Sequence, residues 1–240
     1  VPHEAVKANY TGLWIAALGG YQINTNELSY LDHDSTGAPS FNNWEAGIDG
    51  LGSQGFMGEV AVGFDKQLGN SVFFGVFAGA NMDNSEWTAG LSSKNSPATP
   101  LYDYAEVAFE KEWGGVLGAR IGIIRGKTSF AVGGGWAFGE MGKAHGTATG
   151  GGKTDSAELF KDQDTDLSGW FVQGDIDHHI DGGLYATFTA RYTDYGALTL
   201  ASENYGAGKS SAKLELDRDE LAALVGLKYK LNTGLPYLGD

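Results

Sequence analysis

The residues able to do chemistry are few. The chain has five histidines (His3, His33, His145, His178 and His179) and no cysteine, which excludes thiolate nucleophiles, thiolate metal sites and disulfides. Hydrolysis needs a base paired with a nucleophile or an activated water. His33 between Asp32 and Asp34 comes nearest to a dyad, and no matching Ser motif accompanies it or His145. The chain is therefore expected not to be an enzyme, with no catalytic residues and no cofactor. Asp162-Gln163-Asp164-Thr165-Asp166 and Asp32-His33-Asp34-Ser35-Thr36-Gly37 alternate oxygen ligands as calcium loops do. Leu167 holds the place of the first loop's turn glycine, and Gln173 and Asn43 stand where a closing glutamate belongs. Both read as solvated acidic loops, and no metal site is expected. Gly150-Gly151-Gly152-Lys153-Thr154 has the look of a phosphate loop but lacks the earlier glycine and the following helix. It reads as a loop tip.

A second set of charged residues is organised by its surroundings. Glu59, Asp65, Arg120, Asp175, Asp177, Arg191, Lys228 and Lys230 sit in segments whose apolar residues alternate with small or polar ones. From 55 to 66, Phe56, Val60, Val62 and Phe64 oppose Glu59, Ala61, Gly63 and Asp65. From 168 to 180, Trp170, Val172 and Ile176 oppose Gln173, Asp175 and Asp177. From 221 to 231, Val225, Leu227 and Tyr229 oppose Lys228 and Lys230. A period of two is that of strands, whose successive side chains point to opposite faces. Eight such segments can be drawn, over 10–24, 55–66, 71–82, 113–124, 129–141, 168–180, 184–195 and 221–231. Glycine is abundant, at 38 of 240 residues. On strands it costs entropy and packs nothing, so Gly63, Gly75, Gly79, Gly118, Gly122, Gly133 and Gly135 point to a small closed sheet with a crowded interior.

The connections alternate strictly. Those over 25–54, 83–112, 142–167 and 196–220 are long, while Gln67–Asn70, Arg125–Thr128 and Asp181–Gly183 are short, glycine-bearing hairpin turns. An even number of strands with every long connection at one end is the layout of an outer-membrane barrel. The long stretches hold 21 acidic and 8 basic residues, which accounts for 13 of the net charge of −14. That sign disfavours nucleic acid, whose phosphates need Lys and Arg. No apolar run reaches the length of a membrane helix. A closed eight-stranded interior is only wide enough for side chains, so bulky aromatics suit the lipid side. Trp14, Phe56, Phe64, Trp136, Phe138, Trp170, Tyr192 and Tyr229 are expected as a lipid-facing aromatic girdle, and the eight charged residues above as an interior polar network.

Several strands resemble a known family. Gly169-Trp170-Phe171-Val172-Gln173-Gly174-Asp175-Ile176-Asp177, Ala190-Arg191-Tyr192-Thr193-Asp194-Tyr195-Gly196 and Leu224-Val225-Gly226-Leu227-Lys228-Tyr229-Lys230-Leu231 resemble strands of the small alphaproteobacterial outer-membrane barrels, the immunogenic or opacity-like surface proteins. Asn9-Tyr10-Thr11-Gly12-Leu13-Trp14 and Gly118-Ala119-Arg120-Ile121-Gly122 are similar to two more, in the same order. The resemblance runs through the strands of the whole chain and skips the long connections. Phe77 and Thr189 replace the family's glutamates, Leu224 replaces its arginine, and Leu231 stands where it ends on an aromatic read by the barrel-assembly machinery.

These readings combine into one expectation. The chain is an all-β, eight-stranded antiparallel up-and-down transmembrane barrel with four long external loops and three short periplasmic turns. It forms a single domain over 1–240, with a periplasmic segment at 1–9 and a tail at 232–240. Its start at Val1 reads as a mature outer-membrane protein freed of a signal peptide. What the resemblance implies is a structural and surface role in envelope integrity. The partners expected are outer-membrane lipid and lipopolysaccharide, the barrel-assembly machinery, and an envelope or host protein met through the loops. Phe41, Trp44, Trp87 and Tyr102 are the loop candidates for anchoring such a partner. The alternatives are a narrow porin-like channel for ions or small solutes, and a soluble periplasmic β-barrel binding protein.

Overall fold

Alternating side chains give each strand two unlike faces, and hydrogen bonding to neighbours on both edges decides how those faces are used. The computed structural model describes residues 10–33, 44–94, 102–141, 144–150, 153–159, 166–204 and 211–231. They form β1 (Gly12–His33), β2 (Trp44–Leu68), β3 (Val72–Asp83), β4 (Glu86–Lys94), β5 (Tyr102–Arg125), β6 (Thr128–Met141), β7 (Ala144–Gly150), β8 (Lys153–Leu159), β9 (Asp166–Asp181), β10 (Leu184–Asn204) and β11 (Ser211–Leu231). Eight of them close antiparallel in the order β3-β2-β1-β11-β10-β9-β6-β5, and β5 pairs back onto β3 from Val72↔Ile123 to Asn81↔Gly114. The chain is an eight-stranded barrel. At one end Gly69, Gly126 and Gly182 make the tight turns with φ of 63°, 62° and 54°, a left-handed region that glycine enters without cost.

The barrel is apolar outside and polar inside. Leu13, Ile15, Val60, Val62, Phe74, Val76, Leu117, Ile121, Val132, Val172, Val225 and Leu227 are exposed around the wall, while Asp65, Asp177, Arg120, Arg191 and Lys228 are buried within it. A water-soluble barrel has the reverse arrangement, so this wall is built to face hydrocarbon.

Two expectations about the elements need correction. The stretches 25–54 and 196–220 are strand for most of their length. The β1–β11 ladder continues without a break from Leu13↔Leu231 to His33↔Ser211, 21 pairs, and β1–β2 and β10–β11 extend alongside it. At ~3.3 Å per residue such a ladder reaches ~70 Å along the strand, against the roughly 9–11 residues that a membrane strand needs. The signal disappears at Asn24, Thr25 and Asn26 because beyond the membrane both faces can be polar, so the hydrophobic period ends while the hydrogen-bond ladder continues. In the same way the stretches 83–112 and 142–167 contain β4, the upper half of β5, and the hairpin β7–β8, which form a second small sheet in the order β4-β5-β7-β8. Gly150 and Lys153 are the closing pair of that hairpin.

The interior is crowded enough to specify glycine. A Cβ on Gly63 would fall on the indole of Trp14, its register partner on β1. One on Gly122 would come within 2.5 Å of the Phe73 ring. Gly63→Leu is expected to lower stability by about 1–3 kcal/mol through overpacking, read as an earlier urea midpoint in detergent; an unchanged midpoint would show that the indole can move aside.

Candidate functional site

The inward positions of the eight barrel strands build a column of side chains along the axis. At the turn end, Tyr10, just before β1, plugs the barrel. It stacks on Phe73 and meets Tyr185 at a tilt, with ring centroids 5.8 and 5.6 Å away, and the Lys230 ammonium lies 4.4 Å over its ring. Lys230 Nζ also donates to the Tyr10 carbonyl at 3.1 Å and to Asp65 Oδ2 at 2.8 Å.

Above this plug the charges condense into a network. The Arg120 guanidinium donates to both Asp65 oxygens, at 2.9 and 2.7 Å through Nη2, and its Nη1 lies 3.5 Å from Asp175 and from Asp177. Lys228 holds Asp177 at 2.6 and 2.7 Å. Thr187 donates to Asp177 and Thr189 to Asp175, each at 2.7 Å. One layer higher, Arg191 pairs with Glu59, with Nη2 to Oε1 at 2.9 Å, and donates through Nε to Gln173 at 3.0 Å. Glu59, Asp65, Arg120, Asp175, Asp177, Arg191, Lys228 and Lys230 are thus all placed in the column, each between 0% and 6% exposed.

Trp14 belongs to this column and not to the girdle. It is 5% exposed and lies between two cations, with Arg120 4.8 Å and Lys228 4.6 Å from its ring. The reason is parity: Leu13, Ile15, Tyr21 and Ile23 take the outward positions of β1, which leaves Trp14 on the inward side with Gln22 and Asn24. Of the other girdle candidates, Phe56, Trp136, Phe138, Trp170 and Tyr229 are exposed on the wall, and Phe64 and Tyr192 are half-exposed. Their contacts include Tyr21–Phe56 at 5.4 Å and Trp170–Tyr192 at 5.7 Å, both edge-on.

The column continues into a mouth layer that the alternation of the sequence does not reveal. Lys111 Nζ donates to Glu220 at 2.9 Å and lies 3.3 Å from Asp83; Arg218, Gln22, Asn24, Asn81, Ser53 and Ser85 are buried with them. Glu220 and Arg218 share the inward parity of Lys228 and Lys230 along β11, and that signal was there to follow. Lys111 carried no such signal. The ladder to β6 shifts register between Lys111 and Trp113, so a bulge turns Lys111 inward two residues from an outward Trp113. Counting this layer, six buried carboxylates (Glu59, Asp65, Asp83, Asp175, Asp177 and Glu220) face six buried cations (Lys111, Arg120, Arg191, Arg218, Lys228 and Lys230) among the described residues. The cavity beside Trp14, Arg120 and Arg191 measures about 20 Å³, room for one water.

No family model matches the chain, and no curated protein does. Solved structures are matched. The outer membrane protein OprG from Pseudomonas aeruginosa is similar at 15% identity and a TM-score of 0.49, over 94% of this chain and 99% of that one. Neisserial surface protein A is similar at 12% identity and a TM-score of 0.32, over 89% and 99%. Ail of Yersinia pestis is similar at 9% identity and a TM-score of 0.28, over 88% and 99%.

The remaining candidates are scattered. His178 Nδ1 shares a hydrogen bond with Thr128 at 2.9 Å and His179 Nε2 one with the Gly182 carbonyl at 2.8 Å, both at the turn end. Asp32, His33 and His145 fall in β1 and β7, and Trp44, Trp87 and Tyr102 in β2, β4 and β5, with side chains outside the described ones. His3, Phe41, Asp34, Gly37, Asn43, Asp162 and Asp164 lie outside the described residues altogether. Just above the apolar band, the outward positions of β10 and β11 bring together Asp194, Asp217 and Asp219. Partial burial, with Asp219 and Asp194 nearby, holds the Asp217 carboxyl above its ordinary range.

Breaking one buried pair exposes what the network is worth. Arg191→Met leaves Glu59 charged and unpaired and is expected to cost about 3–5 kcal/mol. The double variant Arg191→Met with Glu59→Gln should recover part of that loss. Urea unfolding of the four proteins measures the coupling, and strictly additive losses would mean that the pair acts independently.

Proposed function

We propose that this chain is an integral outer-membrane protein of a Gram-negative bacterium, exported with a cleaved signal peptide, that acts as a rigid stake for extracellular sheets. The single observation that carries the reading is the inside-out barrel with a filled, charge-neutral core. An apolar wall is stable only in lipid, and a core of mutually paired charges resists deformation. The soluble binding-protein reading loses its support, since the same wall in water would leave 29 large apolar side chains exposed among the described residues.

The surface role rests on the strands that continue past the apolar band. The β2-β1-β11-β10 wall and the β4-β5-β7-β8 sheet carry Trp44, Trp87 and Tyr102, which we keep with Phe41 as candidates for contact with an envelope or host protein. Lipopolysaccharide is proposed to meet Trp136, Trp170 and Tyr192 at the upper edge of the band. The described outward charges there include Glu27, Glu140, Asp194, Asp217 and Asp219, all carboxylates. Rigidity and lipid contact together support a contribution to envelope integrity, in the manner of the opacity-like surface proteins that the strands resemble. Folding is proposed to pass through the barrel-assembly machinery with Leu231 in the terminal position.

The porin-like alternative has one observation in its favour, the charges stacked along the barrel axis, and one against it, the filling of the described column by side chains. Membrane fractionation with boiled and unboiled samples in SDS tests the barrel: a heat-dependent band shift in the outer-membrane fraction is expected, and recovery in the aqueous fraction would reverse the reading. Planar-bilayer recording of the same protein is expected to show no discrete steps. Steps that change on charge reversal at Arg120 would replace the stake by a channel.

A further inference from the structure

Among the described residues, unpartnered buried polar atoms occur singly at Tyr10, Trp14 and Ser129 and cluster in the mouth layer. Along β11 the inward positions run Leu216, Arg218, Glu220, Ala222, Leu224, so two charges sit between apolar neighbours. Below them Met57, Ala222 and Leu224 form an apolar cluster with Leu18. In this layer the carboxamide oxygens of Gln22, Asn24 and Asn81 meet no donor, and the Nε and Nη2 of Arg218 meet no acceptor. All four side chains are at least nine-tenths buried. The carboxamide nitrogens are already committed, Gln22 Nε2 to Ser85 Oγ and Asn24 Nδ2 to Ser53 Oγ, both at 3.0 Å. These bonds fix which ends of the amides are open. Deeper in the column Arg120 and Arg191 have both of their corresponding nitrogens bonded, so Arg218 differs from its two counterparts.

The chemistry of the open groups is specific. Nε and Nη2 form the side-on fork of a guanidinium, whose two parallel N–H groups match the two oxygens of a carboxylate. Three carboxamide oxygens accept hydrogen bonds and so call for hydroxyl donors on the same molecule. A free metal cation is opposed by Lys111 and Arg218, and a simple anion would leave the three oxygens unanswered. Buried polar groups left open cost about 1–3 kcal/mol each, so an occupant that answers both sets is favoured over an apolar one. We propose that the extracellular mouth of the barrel, around Arg218, Gln22, Asn24 and Asn81, is a binding site for a small hydroxy-carboxylate. The carboxylate lies on the Arg218 fork and each hydroxyl donates to one of the carboxamides. Lys111 pairs with Asp83 and Glu220, and with Arg218 these four groups carry no net charge before the carboxylate binds.

The test uses the full chain refolded in detergent micelles, with glycerate as the probe and acetate and glycerol as controls that carry one half of its chemistry each. The nitrogen-bound proton signals of Arg218 Nε and of the Gln22, Asn24 and Asn81 amides are followed by NMR during titration. Saturable shifts with glycerate, and binding about tenfold or more weaker for acetate and for glycerol, are expected from loss of either half of the contacts. No saturable shift with glycerate, or equal shifts with all three, would overturn the site and leave ordered water as the occupant. Arg218→Lys keeps the charge and removes the fork; with its heat-dependent band shift intact it is expected to bind glycerate at least about tenfold more weakly. Unchanged affinity in that variant would also overturn the proposal.

Discussion

In hydrocarbon an unpaired peptide N–H or C=O costs several kcal/mol, and a sheet escapes that cost only by closing on itself. Here closure is made by β5 returning to β3 after β4, and once eight strands have closed the remaining choices are few. The wall must be apolar because its outside is lipid. The lumen is too narrow for a water-filled pore, so side chains must fill it. Many of those side chains are charged, and their charges must cancel locally because little water reaches them. Among the described residues six carboxylates and six cations meet that requirement, with Asp65 shared between Arg120 and Lys230, and Asp177 between Lys228 and Arg120.

Packing follows from the same narrowness. Large rings enter the column only where a neighbouring strand gives up its side chain, as Gly63 does for Trp14 and Gly122 for Phe73. Trp14 then does double duty, filling the lumen and presenting its face to the two cations that flank it, an arrangement that strengthens in a dry interior. A tyrosine from outside the strands closes the turn end. The opposite end is closed differently, by amides and ion pairs, and it is there that most of the open hydrogen-bonding groups cluster among the described residues. The barrel is solid along its axis and chemically distinct at its two ends.

Beyond the membrane the constraint relaxes, and the architecture changes accordingly. The ladders of β1, β2, β10 and β11 continue past the apolar band, because backbone pairing needs no lipid to sustain it. The bulge between Asn26 and Leu28 and the register shifts on β10 after Asp194 and Thr199 mark where twist is adjusted above the band. A tall, partly sheet-like crown on a filled barrel offers area for contact.

The sequence by itself determined what depends on neighbours along the chain. The period of two, the glycine turns at 69, 126 and 182, and the opposition of Phe56 or Trp170 to Glu59 or Asp175 are local facts, and with them came eight strands, the closed barrel and an apolar wall. Trp14 was misplaced because its size outweighed its parity between Leu13 and Ile15. Only the tertiary structure decided what depends on neighbours across the barrel: that Arg120 takes Asp65 and Arg191 takes Glu59, that a bulge turns Lys111 inward, and that the ladders outlast the hydrophobic pattern. Pairing partners lie 55 to 132 residues apart in those two ion pairs, and no local periodicity carries information over that distance. Closure of the sheet supplies it, by bringing strands remote in sequence to opposite sides of one narrow lumen.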